Sequence, residues 1–526
     1  MRSSRALQVK VASLLALLSI AALVAGCGGN SNGTSGGGGT SGGEASAEPR
    51  QGGTLDVSLG EEILSVSPLK AYSAEDVNVV SQMFETVFKE DYEGKVVPWL
   101  LESFKPSKND TVWTLQLKNG VDFSTGKPMT SADVKWSLER GMEVETVAGV
   151  VAGWKKVEAP SPTTVVISTS QPAPEMPEIL SAWSFSVMPK DWGGESEKQF
   201  NDHPIGTGPF EFASRKKGES LTLKKNANYW VPQRPYLDEI VYHTVQNPES
   251  RTAQIRGGEL DMAYNPPFPE IESLEASPEL SVEAPYLGIG WLMILNTENP
   301  LFENRKAREA VNYALDRESM VELALHGNGK PMNAYLLPWL PGYAKNLKAT
   351  EHNPEKAKEL LAEAEKEGVK PTFDISSMAE DPFWTQASQI AQANLEEVGF
   401  TVVIKKSDLS SLLGQLENRE FDATTIYNTA LSPYPAELFS FYNATGGFFT
   451  GVDTKETEKL MAAAQSETDA AKREAMYVHI QEIISEEQAL MQVAYSPYVW
   501  VKQSDVAGSF IGRTGILWLG QAGFTS

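Results

Sequence analysis

The sequence contains few motifs typical of catalysis, although histidine and nucleophile motifs are the easiest signals to find. Five histidines are scattered over 526 residues without the His-Glu-x-x-His spacing of a zinc site or any other close ligand spacing. No phosphate-binding loop is present, and no strand-to-helix turn carries a Gly-x-Ser-x-Gly elbow. Two carboxylates suffice for a glycosidase, so carboxylate catalysis stays open. The expectation is a protein that is not an enzyme and holds neither a metal nor a cofactor.

A binding site without catalysis needs apolar walls and a few placed polar groups. Aromatic residues in irregular stretches are the candidates for such walls, and Asn428 would add a neutral polar group. The alternative for each aromatic residue is packing in a core, where most aromatic side chains lie. The candidate wall residues are Tyr72, Trp183, Trp291, Trp384, Tyr427 and Tyr434.

The only cysteine, Cys27, follows a segment typical of an export signal. Three basic residues stand at the start, and a run of mostly small and aliphatic residues covers positions 11–25. A transmembrane anchor needs about 20 apolar residues, and this run is shorter. Residues 23–27 resemble the lipobox of bacterial lipoproteins. The resemblance implies that residues 1–26 are removed as a signal peptide, that Cys27 is acylated, and that two acyl chains hold the protein at the cell membrane on its extracytoplasmic face.

Residues 27–50 are almost entirely small and polar, which predicts a flexible tether. The body that follows is longer than one core usually organises, so two or more lobes are expected. The formal net charge is −24, and the signal contributes only basic side chains to it, so the exported chain is more acidic still. An acidic surface repels nucleic acid and anionic lipid, so no nucleic-acid partner is expected.

Strands and helices alternate along the body, which favours an α/β fold with open sheets and crossover connections. Alternating or continuous apolar patterns predict strands, and helical spacing with capping residues predicts helices. The predicted strands include residues 53–59, 111–117, 401–404 and 421–427. The predicted helices include residues 74–88, 305–325, 354–365 with Asn353 as the cap, 382–398, and two within 454–484.

Blocks of sequence between about residues 52 and 508, in their order, make a specific family resemblance. The blocks are GKVVPWL at 94–100, WTL at 113–115, LKNGVDF at 117–123, GKP at 126–128, SLER at 137–140, PIGTGPF at 204–210, REAVNYALDR at 308–317 and ETD at 467–469. This arrangement resembles the family 5 extracellular solute-binding proteins of ABC importers, which include dipeptide-, oligopeptide- and nickel-binding members. No single block would suffice for the assignment.

The resemblance implies a two-lobed periplasmic-binding-protein type II fold with a hinge and an interlobe ligand cleft. Residues 51–285 would form the first part of lobe I, residues 286–494 lobe II, and residues 495–526 the return to lobe I. The chain would cross between lobes near 286–296 and again near 490–501. Lobe closure around a small-molecule or peptide ligand would be read by an ABC transporter permease in the membrane. The resemblance also places Trp384, Tyr427 and Tyr434 where family members present second-lobe walls, and a tethered receptor of this kind is expected to be a monomer.

The chain departs from the family's peptide binders between residues 423 and 436. In those proteins an aspartate a few residues before a proline pairs with the α-amino group of the peptide, whereas this stretch has no carboxylate and has Leu431 at about that position. Burying an ammonium group without a partner costs several kcal/mol. A free-amine peptide would then need another carboxylate, such as Asp422, Glu437 or Asp408.

Three functions stay open on the sequence. The first is a receptor that delivers a peptide or peptide-like solute to an ABC permease. The second is the same type of receptor for an oligosaccharide, an opine or a metal chelate; aromatic walls with neutral polar groups suit sugars or blocked peptides better than zwitterions. The third is a surface lipoprotein that acts as an enzyme or a signalling receptor.

Overall fold

The part of the chain that the structure describes begins just before the predicted body. The computed structural model describes residues 48–525, except positions 72, 145, 146, 148, 149, 152, 286, 379–381, 431 and 441–454. Cys27, most of the predicted tether, Tyr72 and Leu431 therefore lie outside the described residues. The predictions made for them stay predictions.

A seven-stranded sheet organises the first lobe. Its central strand Thr54–Leu59 alternates as predicted, with Leu55 and Val57 completely buried. This strand runs parallel to both of its neighbours, and apolar residues of such strands are covered on both faces. In sheet order the strands are Leu280–Glu283, Trp500–Gln503, Met262–Tyr264, Thr54–Leu59, Glu239–Thr244, Ser220–Lys225 and Phe210–Lys216.

A four-stranded antiparallel sheet forms a second layer of lobe I. In sheet order its strands are Leu101–Pro106, Val112–Leu117, Thr164–Thr169 and Trp154–Ser161. Three small two-stranded ladders complete this lobe: Phe88–Glu90 with Val96–Pro98, Val506–Ala507 with Gly523–Phe524, and Phe510–Ile511 with Leu517–Trp518.

A six-stranded sheet organises the second lobe. In sheet order its strands are Lys330–Pro331, Leu490–Pro497, Leu287–Leu295, Ala423–Thr429, Thr372–Met378 and Thr401–Ser407. Helix Pro382–Val398 packs on this sheet. It buries Phe383, Ala387, Ala391 and Leu395, which recur every four residues and so share one face.

The chain passes between the lobes twice, each time from a strand of one sheet into a strand of the other. Strand Leu280–Glu283 belongs to the seven-stranded sheet and strand Leu287–Leu295 to the six-stranded sheet, so the first passage lies at residues 284–286. The return passage lies at residues 498–499, between strands Leu490–Pro497 and Trp500–Gln503. The outgoing and returning strands pair with each other in both sheets. The connection is therefore a two-stranded antiparallel ribbon with one short interruption.

The helices follow the predicted pattern, with two differences. The predicted helix 305–325 is two helices, because Leu315 is extended and the Asp316 carboxylate caps a new helix by accepting from the Ser319 amide at 3.0 Å. The predicted helix 74–88 ends at Met83, whose carbonyl accepts from the Gly208 amide at 2.9 Å. The α-helices are Ala74–Met83, Ser131–Gly141, Met176–Ile179, Glu197–Asp202, Pro248–Gly257, Ile271–Glu275, Pro300–Glu303, Arg305–Ala314, Arg317–Ala324, Pro354–Lys366, Pro382–Val398, Leu409–Asn418, Pro435–Ser440, Lys455–Ser466 and Ala470–Glu487. Short 3-10 segments lie at Trp183–Phe185, Lys190–Gly194 and Phe268–Glu270. Within the described ranges, no helix is long and apolar enough to cross a membrane.

Candidate functional site

The segment after the central strand of lobe I is fastened at both ends. The Asp76 carboxylate accepts from the amides of Leu64 at 2.7 Å and Ser65 at 3.1 Å. The Trp183 indole donates to the carbonyl of Ala71 at 3.1 Å. Ligands of open α/β sheets bind beyond the carboxyl ends of strands, and residues 60–71 lie there, directly after Thr54–Leu59.

Two carboxylates lie close together in this region. Glu75, in the first turn of helix Ala74–Met83, is 6% exposed. Burial is the main cause that raises the pKa of Glu75 to about 8, with a contribution from the charge of Glu61 and against the charge of Arg251. Glu75 therefore carries a proton for much of the time at neutral pH and would ionise on meeting a cation.

Arg251 donates hydrogen bonds from its guanidinium to backbone carbonyls at this site instead of forming a close ion pair with Glu75. Its guanidinium is 5% exposed and donates to the carbonyls of Val245 at 2.6 Å, Tyr264 at 3.0 Å and Asn265 at 2.9 Å. Charge-assisted hydrogen bonds of this kind fix the ends of two strands of lobe I relative to helix Pro248–Gly257.

Tyrosines from both lobes share an electrostatic environment with these carboxylates. The pKa of Tyr264 lies well above its usual value, first because of burial and then because of the negative potential of Tyr498, Glu75, Tyr427 and Glu61. Tyr264 ends a strand of lobe I, whereas Tyr427 lies on a strand of lobe II and Tyr498 in the returning passage. The same electrostatic neighbourhood therefore joins lobe I, lobe II and the hinge.

An aromatic cluster of lobe II surrounds Tyr427. The Trp291 ring centroid lies 4.2 Å from that of Phe383, 5.5 Å from that of Trp384 and 5.9 Å from that of Tyr427. The Trp291 indole donates to the Ser496 hydroxyl at 2.9 Å. Glu61, Glu75, Tyr264, Tyr498 and this cluster together are called the interlobe site below.

The residues predicted from sequence divide between several places. Trp291, Trp384 and Tyr427 come together in the aromatic cluster, and Trp384 is only 1% exposed. Asn428 points to the opposite sheet face from Tyr427 and donates to the Tyr335 carbonyl at 3.2 Å. Trp183 lies in lobe I, under the fastened segment. Their roles in ligand binding stay predictions.

Tyr434 lies at a second contact between the lobes, beside an ion pair. Glu175 of lobe I accepts from the Tyr477 hydroxyl at 2.7 Å and lies 3.3 Å from Nε of Arg473, both on helix Ala470–Glu487 of lobe II. Burial raises the pKa of Glu175 to about 7, although Arg473 and Tyr477 act in the opposite direction. The pKa of the buried Tyr434 is raised by burial and by the charge of Glu175. The ion pair of Glu175 with Arg473, together with the Tyr477 hydroxyl that donates to Glu175, is called the interlobe ion pair below.

The three carboxylates that the sequence offers as substitutes near Leu431 have structural partners. Asp422 accepts from Asn299 Nδ2 at 2.6 Å and from the Asp374 amide at 3.0 Å. Asp408 caps helix Leu409–Asn418, and Glu437 accepts from the Ser432 hydroxyl at 2.7 Å. Sequence reasoning missed Glu61 and Glu75, although their position after a predicted strand was a usable signal.

Metal ligands do not assemble in the described part of the chain. Within those residues, no three side chains of His, Cys, Asp or Glu come together in a way that could hold a metal ion. The histidines serve local pairs instead, such as His243 with Asp56 at 2.7 Å and His479 with Glu482 at 3.1 Å. The arrangement of the interlobe site suits a ligand with a cationic group and an apolar body.

Comparison with known proteins gives one consistent result. The family model for bacterial extracellular solute-binding proteins, family 5 Middle, matches residues 95–450. A glutathione-binding protein, GsiB, of Escherichia coli (strain K12) is 26% identical over 472 residues, which cover 86% of this chain and 91% of that protein.

Solved structures show the same fold. The ABC transporter-associated periplasmic binding protein DppA from Helicobacter pylori, in complex with the peptide STSA, matches with a TM-score of 0.81 at 25% identity, covering 91% of this chain and 99% of that one. AgaA of A. tumefacien R10, in complex with agropinic acid, matches with a TM-score of 0.80 at 22% identity, covering 90% and 99%. The prediction of a two-lobed type II periplasmic-binding-protein fold is confirmed. The chain belongs to the family 5 bacterial extracellular solute-binding proteins.

Proposed function

We propose that this protein is a receptor that captures a peptide or peptide-like solute between its lobes and delivers it to an ABC transporter permease. The observation that carries the proposal is that Glu61 and Glu75 of lobe I and Tyr427 of lobe II all act electrostatically on Tyr264, with Trp291 packed 5.9 Å from Tyr427. A primary ammonium group would lie between the two carboxylates. The apolar body next to it would lie against the aromatic cluster.

The carboxylate pair replaces the anchor that the sequence lacks near Leu431. Two nearby carboxylates repel each other, and the raised pKa of Glu75 reflects that repulsion together with burial. An ammonium group placed between them relieves the repulsion and gains charge-assisted hydrogen bonds. The same arrangement disfavours a neutral oligosaccharide or an anionic opine, which could not compensate the carboxylates.

The receptor works from the membrane surface. Acylation of Cys27 would anchor the body on the extracytoplasmic face, and residues 27–50 would let it reach the permease. The family is extracellular and consists of solute receptors. A monomer is expected, and light scattering of the purified protein measures this directly.

A thermal-shift screen with matched ligands tests the proposal. The ligands are free di- and tripeptides including glutathione, the same peptides with acetylated amino groups, oligosaccharides, opines and metal chelates. A ligand at 100 times its Kd adds about 2.7 kcal/mol to the stability of the protein. We expect melting-temperature shifts with free-amine peptides and none with their acetylated forms. Shifts confined to oligosaccharides, opines or chelates would instead assign the receptor to another solute class.

The interlobe ion pair should make ligand affinity depend on pH when its cation is removed. With the lobes in contact the pKa of Glu175 is about 7, and hydration in open lobes would return it to its ordinary value near 4.5. Protonation of Glu175 below pH 7 therefore favours lobe contact, and ionisation above pH 7 opposes it. Arg473→Met leaves the buried carboxylate without its cation, so its pKa in closed lobes rises further.

We expect Arg473→Met to bind a ligand from the screen about 10-fold more weakly than the wild type at pH 8, and within about 2-fold at pH 5.5. Isothermal titration calorimetry of both proteins at both pH values measures this ratio. The double variant Arg473→Met/Glu175→Gln is the control, because it has no carboxylate to titrate at this contact and should not show the extra loss of Arg473→Met at pH 8. An equal loss for Arg473→Met at both pH values would contradict the prediction.

A further inference from the structure

A cavity of about 820 Å³, including its open mouth, lies within lobe I. All of its lining residues fall between Ser81 and Arg234 or between Phe510 and Gln521. Lobe II contributes none, so this cavity differs from the interlobe site. Concave, partly apolar cavities with a few converging polar groups are the usual form of small-molecule sites.

Flat aromatic rings form the walls of this lobe I cavity. The rings of Tyr92 and Phe510 lie 4.1 Å apart, and those of Phe510 and Trp518 are stacked at 6.0 Å. Trp99 also lines the cavity. Tyr92 is 52% exposed, which places it at the mouth. A flat apolar group would be in contact with aromatic faces on more than one side.

The acidic group of the cavity already has its partners. Both oxygens of Glu85 are hydrogen-bonded, with donors Trp99 Nε1 at 2.7 Å, Trp230 Nε1 at 2.9 Å and the Tyr229 hydroxyl at 3.0 Å. Burial raises the pKa of Glu85, while these donors and Lys89 act against the rise. A ligand has little to gain from this carboxylate.

Lys89 and Trp518 each carry a hydrogen-bond donor that has no acceptor among the described residues. Lys89 Nζ lies 3.2 Å from the Trp99 ring centroid and 5.5 Å from that of Trp518, and within the described chain no carboxylate oxygen lies within 4.0 Å of it. Trp518 Nε1 is buried and, among the described residues, has no hydrogen-bond acceptor. Burial lowers the pKa of Lys89 to about 8, against the charges of Glu85 and Asp91 and with that of Lys118, so Lys89 is mainly cationic at neutral pH. An anion in the cavity would supply Lys89 with an acceptor, whereas Trp518 Nε1 is closed off from the cavity.

We propose that the lobe I cavity binds a small aromatic carboxylate. The carboxylate would accept from Lys89 Nζ, and the aromatic ring would lie against Trp99, Phe510 and Tyr92. The cavity is thus a second ligand site, occupied independently of the solute between the lobes.

Calorimetric titration of the purified protein at pH 7 tests the assignment with three probes: phenylacetate, its neutral amide phenylacetamide, and inorganic phosphate. We expect phenylacetate to bind at least 10-fold more tightly than phenylacetamide, and phosphate not to bind. Lys89→Met should weaken phenylacetate binding at least 10-fold. Lys89→Arg keeps the charge and should retain affinity within about 3-fold.

Lys118→Met is the matched control, because Lys118 also approaches the Trp99 ring, at 5.5 Å, but does not line the cavity. Its phenylacetate affinity should stay within 2-fold of the wild type. Equal binding of acid and amide, or equal losses in Lys89→Met and Lys118→Met, would overturn the assignment of the carboxylate to Lys89. Tight binding of phosphate would show an anion site without aromatic selectivity, and no binding of any probe would refute the proposal.

Discussion

Glu75→Gln should reduce the affinity for a free-amine ligand by about 100-fold or more, because it removes the carboxylate that would ionise against the ammonium group. Removing one partner of a buried charge pair typically costs 2–5 kcal/mol or more. Glutamine copies the neutral, protonated form of Glu75 that dominates in the empty site, so the unliganded fold should be little affected. Calorimetric titration with the best free-amine peptide measures the loss.

The proton of Glu75 gives a second readout of the same prediction. The pKa of Glu75 is about 8 in the empty site, and an adjacent ammonium group would lower it. Ligand binding near pH 7 should therefore release close to one proton from Glu75, partly offset by proton uptake at Glu175 as the lobes meet, and the contribution of Glu75 to affinity should rise as the pH increases from 6 towards 8. Titrations in two buffers of different ionisation enthalpy count the released protons. Glu75→Gln should abolish both the release and the rise.

A buried carboxylate elsewhere in lobe I is the control for this variant. Glu90 is 5% exposed, burial raises its pKa to about 7, and it accepts from the Arg513 amide at 2.9 Å. Glu90→Gln should bind the peptide with wild-type affinity and release the same number of protons. If Glu75→Gln bound as tightly as the wild type, the ammonium group would have to be recognised by other residues.

Trp384→Ala should lower the free energy of unfolding by about 3–5 kcal/mol, the range for aromatic-to-alanine changes in cores. The Trp384 ring is 1% exposed and packs against Phe383 at 4.9 Å and Trp291 at 5.5 Å, so its removal leaves a cavity beneath the interlobe site. Chemical denaturation measures the loss. Leu64→Ala, at a side chain that is 71% exposed, is the control and should change stability by less than about 0.5 kcal/mol.

The outcome for Trp384 separates a supporting role from a ligand contact. A large loss of stability would mean that Trp384 holds Trp291 and Tyr427 in place from below. An unchanged midpoint with lost ligand binding would instead mean that the ring lies in the ligand wall in solution.

Local structure could be predicted where local chemistry decides it. Asn353 caps helix Pro354–Lys366 by accepting from the Lys356 amide at 3.0 Å, and helix Pro382–Val398 has the predicted bounds. The two helices whose bounds were predicted wrongly differ in the interactions that set those bounds. Asp316 was a local capping signal that apolar spacing concealed, whereas the end at Met83 depends on Gly208, more than 120 residues away. Only the tertiary structure supplies that contact.

Only the aromatic part of the interlobe site could be predicted from the sequence. Aromatic residues of lobe II could be nominated because they are uncommon and large, and three of them do come together. The carboxylates were missed because Glu75 looks like an ordinary first-turn acid of a helix, a position that favours acidic residues anyway. Its distinguishing property is proximity to Tyr264 and Tyr427, which are far from it in sequence.

The paired strands of the hinge also dictate an order of assembly as the chain is exported. Strand Trp500–Gln503 lies inside the seven-stranded sheet, between Leu280–Glu283 and Met262–Tyr264, so lobe I has a gap until almost the last residues emerge. Strand Leu490–Pro497 likewise lies inside the six-stranded sheet, between Lys330–Pro331 and Leu287–Leu295, so lobe II also stays incomplete until the returning chain arrives. Such long-range pairing is slow to form and exposes strand edges while it is incomplete. Newly exported chains should therefore pass through a state in which neither sheet is complete and both lobes are still open to chaperones and proteases.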